Sequence, residues 1–239
     1  MRAREERPGE GHRRPPRSAI TYLVRAPLSA WLEQEARRAA DAYGRYRVLD
    51  VGCGIKPYYP FFAPHVSEYV GVDIENPYAD LQGTAESLPV PDASFDVVLC
   101  TQVLEHSPDP DQAVQELWRV TAPGGRVLAS THGVQCYHPA PEDHWRWTHT
   151  GLERLFARNG SWRAVSVRPA GGVASCLAAM NVIYVDLLFR RAHLTPLGKG
   201  LVWLMNTAAS ALDRRVRSLR EPRPGSLFVN YHVVAEKLA

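Results

Sequence analysis

Apolar residues recur along this chain at two periods in turn, and the alternation predicts a layered α/β domain. Over residues 27–43, Leu28, Trp31, Leu32 and Ala36 share one helical face with charges opposite, and Gly44 stops the run. Strand patterns follow at 46–51, at 67–74 and, as the fourth strand, at 95–100. Asp109, Pro110 and Gln112 then make a helix start, as N-cap, N1 and N3. Val114, Leu117, Trp118 and Thr121 repeat at helical spacing until Pro123-Gly124-Gly125 breaks the pattern. Residues 125–131 read as strand five. A helix follows from about Thr150, which forms a capping box with Glu153 unless Thr148 is the cap, and Asn159-Gly160 closes it. Residues 162–167 and 227–235 complete the set as strands six and seven.

Strands alternating with helices imply a parallel sheet covered on both faces, and such sheets bind ligands at the carboxyl ends of their strands. Asp50, Asp73, Cys100 and Thr131 all fall on that edge. The first strand runs into Asp50-Val51-Gly52-Cys53-Gly54, and the second ends in Asp73, nineteen residues past Gly54. Paired glycines let backbone approach a ligand closely, and an acid ending the second strand is placed to accept from both ribose hydroxyls. Where a dinucleotide fingerprint has its third glycine, this chain has Pro57, preceded by Lys56. That departure disfavours a pyrophosphate-wrapping turn, and with it an NAD-dependent oxidoreductase. The expected ligand is a nucleoside without phosphates, with Asp50 holding a cationic group beside the glycines.

Leu49-Asp50-Val51-Gly52-Cys53-Gly54 resembles motif I of the class I S-adenosylmethionine (SAM)-dependent methyltransferases. The resemblance continues through Ala85-Glu86-Ser87-Leu88-Pro89-Val90-Pro91-Asp92, Ser94-Phe95-Asp96-Val97-Val98, Val103-Leu104-Glu105-His106, and Arg119-Val120 leading to Pro123-Gly124-Gly125. In order and spacing these are similar to the type-11 methyltransferase domain, over roughly residues 45–160. The resemblance implies a doubly wound, Rossmann-like, seven-stranded, mostly parallel sheet with helices on both faces, here with a helical insert before the last strand. It implies SAM as cofactor. Asp50, Gly52, Cys53 and Gly54 would border its methionyl end, Asp73 and Ile74 the ribose, Ala85, Glu86 and Leu88 the adenine, and Thr101, Val103 and Leu104 the sulfur. Thr84 stands where many relatives carry Asp or Asn toward the adenine amine, which weakens that contact or leaves it to main chain.

Candidate acceptor chemistry follows strand five, in the segment from His132 to Thr148. It resembles the H-x-x-P-x-D-x-x-R-x-T segment of a type-11 subgroup found with glycan and natural-product pathways. A histidine titrating near neutrality can deprotonate a substrate hydroxyl. His132 and His138 are both placed to do so, with Asp143 as a third catalytic candidate, and the sequence does not choose between the histidines. Trp145 and Trp147 offer stacking surfaces for a sugar ring or flat aglycone. In the plainer reading Asp143 and Arg146 form a loop-fixing ion pair, and Glu105 and His106 cap or bridge the segment after strand four. The histidine spacing fits no closed zinc pattern, so no metal is expected.

The expected activity is methyl transfer to a small-molecule or lipid-linked saccharide acceptor, at oxygen. A quinone-type C-methyltransferase stays open, as does an inactive methyltransferase fold that serves as an interaction surface. A nucleic-acid partner is not expected: no basic face is legible beyond the N-terminal tail, and Cys100-Thr101-Gln102 stands where an amine-flipping N/D-P-P-Y/F motif would be.

Composition bounds the rest. At 239 residues and net charge +3 the chain has room for one sizeable domain, read as residues 21–239. Residues 1–20, rich in Arg, Pro and Gly, read as a disordered basic tail. Four scattered cysteines without a CxxC pair, and no apolar run near Met1, fit a reducing cytoplasm. The insert at about 173–220 carries two helical stripes, one of Val173, Leu177, Met180, Tyr184 and Leu187, the other of Leu197, Leu201, Leu204, Ala208 and Leu212. A membrane span is disfavoured by Asp186, since a mid-span Asp costs about 2.5–3.5 kcal/mol on insertion scales. Three readings stay open: a hairpin packed on the domain or on a second subunit, a lid over an apolar substrate, or peripheral membrane contact through Trp203 and the cluster Arg214, Arg215, Arg217 and Arg220.

Overall fold

The computed structural model describes residues 9–139 and 141–239. A short helix, α1 (Glu10–Arg13), precedes α2 (Tyr22–Tyr43), β1 (Tyr46–Val51), α3 (Tyr59–Phe62), β2 (Val66–Asp73), β3 (Leu81–Gln82) and β4 (Phe95–Thr101). Then come α4 (Pro110–Val120), β5 (Thr121–His132), α5 (His149–Arg158), β6 (Trp162–Pro169), α6 (Val173–Arg191), α7 (Thr195–Arg215), a 3₁₀ turn at Arg217–Arg220, and β7 (Asn230–Lys237).

The seven strands form one sheet in the order β3-β2-β1-β4-β5-β7-β6. The pairs among β1 to β5 are parallel, while β7 runs antiparallel to both β5 and β6. The chain builds outward from β1 to β3, then crosses back to β4 on the other side of β1. That reversal opens a crevice at the carboxyl ends of β1 and β4, where such sheets bind ligands. Leu117, Leu152 and Phe156 of α4 and α5 bury against one face; Leu28, Leu32, Ala36 and Phe62 of α2 and α3 bury against the other.

Several expected boundaries move. α2 begins five residues early and runs through Pro27, because Leu23 and Leu28 on either side are both buried and that packing outweighs the missing donor. Asp109 caps α4 as expected, its side chain accepting from Gln112 N–H at 3.0 Å. The cap of α5 is Thr148, which accepts from Gly151 N–H at 3.1 Å, and not Thr150. β5 starts at Thr121 rather than residue 125, pairing with Phe95 ahead of a register irregularity.

The expected disordered tail needs correction over its second half; residues 1–8 lie outside the described residues. Arg13 donates to the Pro57 carbonyl at 2.6 Å, and Ser29 donates to the Arg13 carbonyl at 2.6 Å. Asn206 of α7 donates to the carbonyls of Arg17 and Ala19, at 2.7 and 3.0 Å. The segment before α2 is therefore fastened to the domain by backbone acceptors, a role that composition does not report.

The insert is a helical hairpin, as expected, and of the apolar stripes only a few members, Met180 among them, pack inward. The packed sides use small or polar residues: Ser175, Cys176, Ala179 and Val182 on α6, and Gly198, Val202, Asn206, Ala209 and Asp213 on α7. Leu177, Tyr184, Leu187, Leu197, Leu201, Leu204 and Leu212 are exposed. Asp213 reaches from α7 to the start of α6 and accepts from the N–H groups of Gly172, Ala174 and Ser175, at 2.9, 3.1 and 2.9 Å. Those are the unpaired donors that a helix start presents, so one buried carboxylate pins the two helices together.

Candidate functional site

Beyond β1 the chain turns at Gly52 with φ +65, and a Cβ there would lie 2.3 Å from Val103 Cγ2. Only glycine fits both demands. Gly54, at φ +50, has no atom within 4 Å of its Cβ position and faces open space. Its N–H donates to Asp73 Oδ2 at 2.8 Å, and Ile74 N–H donates to Asp73 Oδ1 at 2.8 Å. The Gly52 and Cys53 N–H groups both donate to the Val72 carbonyl, at 2.9 and 3.1 Å. The glycine turn was expected to hold a ligand by its backbone. Instead these N–H groups are committed inside the protein, and the turn supplies room and orients Asp73, whose remaining lone pairs can accept from hydroxyls.

Asp50 is 3% exposed and takes the Tyr69 hydroxyl on Oδ2 at 2.6 Å. Burial pushes its carboxyl up to about 7, against the pull of Tyr69 and Lys56. The Lys56 ammonium is engaged elsewhere, with Asp80 at 2.6 Å. A buried carboxylate with a hydroxyl donor but no adjoining cation suits a ligand that brings its own positive charge.

Both acids open into one cavity of about 840 Å³. Gly52, Cys53, Gly54, Ile74, Ala85, Glu86, Thr101 and Val103 line it with them, as the sequence placed them. Leu88 does not line it: the residue is buried in the core, its N–H donating to Glu116 at 2.8 Å and its carbonyl accepting from Arg119 at 2.9 Å. The roof comes from the segment before α2, which sequence patterns missed, and from the insert, for which a lid was one of the open readings. His12, Ile20 and Thr21 precede or open α2, and Ala179 and Ile183 sit on α6. The Pro- and Gly-rich stretch before α2 carries no signal for such a role.

Glu105 and His132 line the same cavity. Glu105 is fully buried; its Oε2 accepts from the Thr131 hydroxyl at 2.7 Å, and its Oε1 lies 3.4 Å from His132 Nε2. Glu105 Oε1 and His132 Nδ1 have no hydrogen-bond partner among the described residues. Burial pushes Glu105 up to about 7 and His132 down to about 3, so at neutral pH the histidine is uncharged and the carboxyl is poised between its two forms. The Glu105 carbonyl also accepts from His144 and Trp145 N–H, at 2.9 and 3.2 Å, which wraps the loop after β5 around this residue.

Two catalytic candidates fare differently from His132. His138 lines the cavity but is exposed, its ring 5.9 Å from that of His106. Asp143 does not line the cavity. It forms a two-pronged ion pair with Arg146, 2.7 Å on one side, and accepts from His138 N–H at 2.7 Å. The guanidinium holds its carboxyl well below the usual range, and these contacts tie the two ends of the loop together. Trp145 and Trp147 stack on each other, centroids 5.5 Å apart, and neither lines the cavity. No group of three or more His, Cys, Asp or Glu suited to a metal ion occurs among the described residues.

Residues 49–129 match the methyltransferase domain family. An uncharacterized methyltransferase, YcgJ of Bacillus subtilis, is 35% identical over 122 residues, which are 44% of this chain and 46% of that protein. The demethylmenaquinone methyltransferase of Deinococcus radiodurans is 35% identical over 128 residues, 44% of this chain and 53% of that protein. The chain thus spans about half the length of the curated relatives it matches. The solved structure of a Haemonchus contortus phosphoethanolamine N-methyltransferase in complex with S-adenosyl-L-methionine superposes with TM-score 0.52 at 14% identity, over 92% of this chain and 60% of that one. That likeness is one of fold.

Proposed function

We propose that this protein, whose residues 49–129 match the methyltransferase domain family, transfers a methyl group from SAM to a small-molecule or lipid-linked acceptor, at oxygen. The observation that carries this reading is the run of chemistry along one cavity: buried Asp50, oriented Asp73, then the Glu105–His132 pair. The residues lining the cavity suit the chemistry of that cofactor. Asp50 would hold the ammonium of the methionyl group, Asp73 would accept from the ribose hydroxyls, and Ala85 and Val103 would offer apolar walls to the adenine and the sulfur. When bound, SAM supplies a methyl group already activated by its sulfonium.

The protein's share is then alignment and proton removal. Holding acceptor and methyl in line can contribute about 7–11 kcal/mol through entropy lost beforehand. Ionised Glu105 faces the Nε2 side of His132 and orients the imidazole, which would take up the acceptor's hydroxyl proton. In this pairing Glu105 is a positioning residue and His132 the base. Burial keeps the imidazole neutral at working pH, and an ionised Glu105 beside it would stabilise the imidazolium as the proton arrives.

A quinone-type C-methyltransferase is the second reading, favoured by the Deinococcus relative named above. The same pair would then deprotonate an electron-rich ring. Incubation with methyl-labelled SAM and a panel of phenolic, sugar and quinol acceptors tests the proposal. Label on oxygen supports it, label on ring carbon supports the second reading, and SAM binding without transfer to any class contradicts both.

A further inference from the structure

We propose that the outer face of the α6–α7 hairpin docks on the surface of an anionic lipid bilayer. α6 and α7 turn small and polar residues inward and their large apolar ones outward. Leu177, Tyr184 and Leu188 stand exposed at i, i+7 and i+11 on α6, with Leu188 63% accessible. On α7, Leu197, Trp203 and Leu204 are exposed likewise, Leu197 at 63%. A soluble surface does not normally leave a row of large side chains bare along two consecutive helices, so the face has an occupant.

The charges on the hairpin decide which occupant. Between residues 173 and 220 the basic side chains are Arg190, Arg191, Lys199, Arg214, Arg215, Arg217 and Arg220. The same span holds two acids. Asp186 is paired with Arg190 at 2.6 Å, and Asp213 is buried against the start of α6. No carboxylate on the hairpin is left to answer the basic groups. A second copy meeting this hairpin would bring the same excess of cations and no free carboxylate to answer them, which disfavours a homodimer here. Anionic headgroups supply the missing charge, and Trp203 and Tyr184 are the amphipathic rings that settle at such an interface.

The basic groups also sit at both ends of the hairpin, Arg190 and Arg191 closing α6 and Arg214 and Arg215 closing α7. Between them lie about 28 Å of helix at 1.5 Å per residue. That layout suits a hairpin lying flat in the headgroup region. α6 is long and apolar enough to cross a membrane, but its inner face is packed: Cys176 and Ala179 cluster with Leu23 of α2, and Ile183 borders the cavity. Docking through the outer face leaves that packing intact and sets the cavity roof beside the bilayer.

Flotation of the purified full chain with vesicles tests the proposal, using phosphatidylcholine alone and phosphatidylcholine mixed with phosphatidylglycerol. Flotation with the mixed vesicles only is expected. Arg214→Ser with Arg215→Ser should weaken it about thirtyfold, and Leu188→Ser with Trp203→Ser and Leu204→Ser should abolish it. These side chains are exposed, and retained SAM binding by each variant shows that the fold survives. Failure to float with either vesicle, or flotation unchanged in the triple variant, overturns the proposal. So does a wild-type dimer that the triple variant makes monomeric, since the face then belongs to a second copy. The inference stands apart from the reaction: a protein that floats but binds no SAM would lose its proposed function and keep its membrane face.

Discussion

The Tyr69 hydroxyl reaches Asp50 across 2.6 Å, so a β2 side chain supports the buried carboxylate at the end of β1. Asp50 must be ionised to hold a cation, and burial has raised its carboxyl to about 7. SAM affinity is therefore expected to rise with pH through about 7 and then level, with a proton released on binding below that point. Tyr69→Phe removes a hydrogen bond to a charged group. It should weaken binding about tenfold near neutrality and move the midpoint upward. Calorimetry in buffers of differing ionisation heat checks both the affinity and the proton count.

Glu105 gives a second pH signature, in the rate. The proton-accepting pair works with Glu105 ionised, so turnover should climb as pH passes about 7. Glu105→Gln should flatten that rise and lower turnover about a hundredfold or more, while SAM affinity stays near that of the wild type. The same group affects stability with a defined sign. Its folded pKa lies above its ordinary value of 4.5, so its contribution is full below that value and is lost as pH rises through about 7. Above that point Glu105→Gln should melt higher than the wild type, because it no longer buries a charge. Thermal melts on either side of neutrality measure this.

Gly52 and Gly124 form a matched pair for testing the turn. Both have positive φ, +65 and +74, but a Cβ at Gly52 would strike Val103 while the space at Gly124 is open. Gly124→Ala should cost only backbone strain, on the order of 1 kcal/mol. Gly52→Ala adds a collision at the centre of the crevice, and should lose SAM binding along with more stability. Equal losses in denaturant melts would contradict the assigned contact.

Much of this site was legible in the sequence, for reasons that its residues make plain. Asp50, the glycines and Asp73 depend on chain order at one sheet edge, which short-range pattern reports directly. Asp109 capping α4 is equally local. Glu105 was read as a cap or bridge because its meaning depends on His132 and Thr131, brought beside it only by the pairing of β4 with β5. Leu88 follows a cofactor-bordering motif yet turns into the core, where Glu116 and Arg119 hold its backbone. The hairpin was the least legible. Its apolar stripes fit a packed, a lid or a membrane-facing hairpin equally by pattern, and it is close helix contact that selects Cys176, Ala179, Gly198 and Ala209 and leaves the leucines outside.

Asp213 is the fastening of that hairpin, and its removal should loosen α6 rather than unfold the domain. Asp213→Ala leaves the N–H groups of Gly172, Ala174 and Ser175 without their acceptor. Each unpaired buried donor costs about 1–3 kcal/mol. Faster amide exchange at the start of α6, with β1 and β4 unchanged, is the expected pattern. Uniform loss of protection would show that the hairpin and sheet unfold as one unit.

The most direct test of the cofactor site is isothermal titration of the folded protein with SAM and with NAD, repeated on Asp73→Ala. Saturable one-to-one binding of SAM, silence with NAD, and loss of SAM binding in Asp73→Ala are expected. A folded wild type that binds no SAM, or an Asp73→Ala variant that binds it as tightly, would contradict the assignment of this cavity.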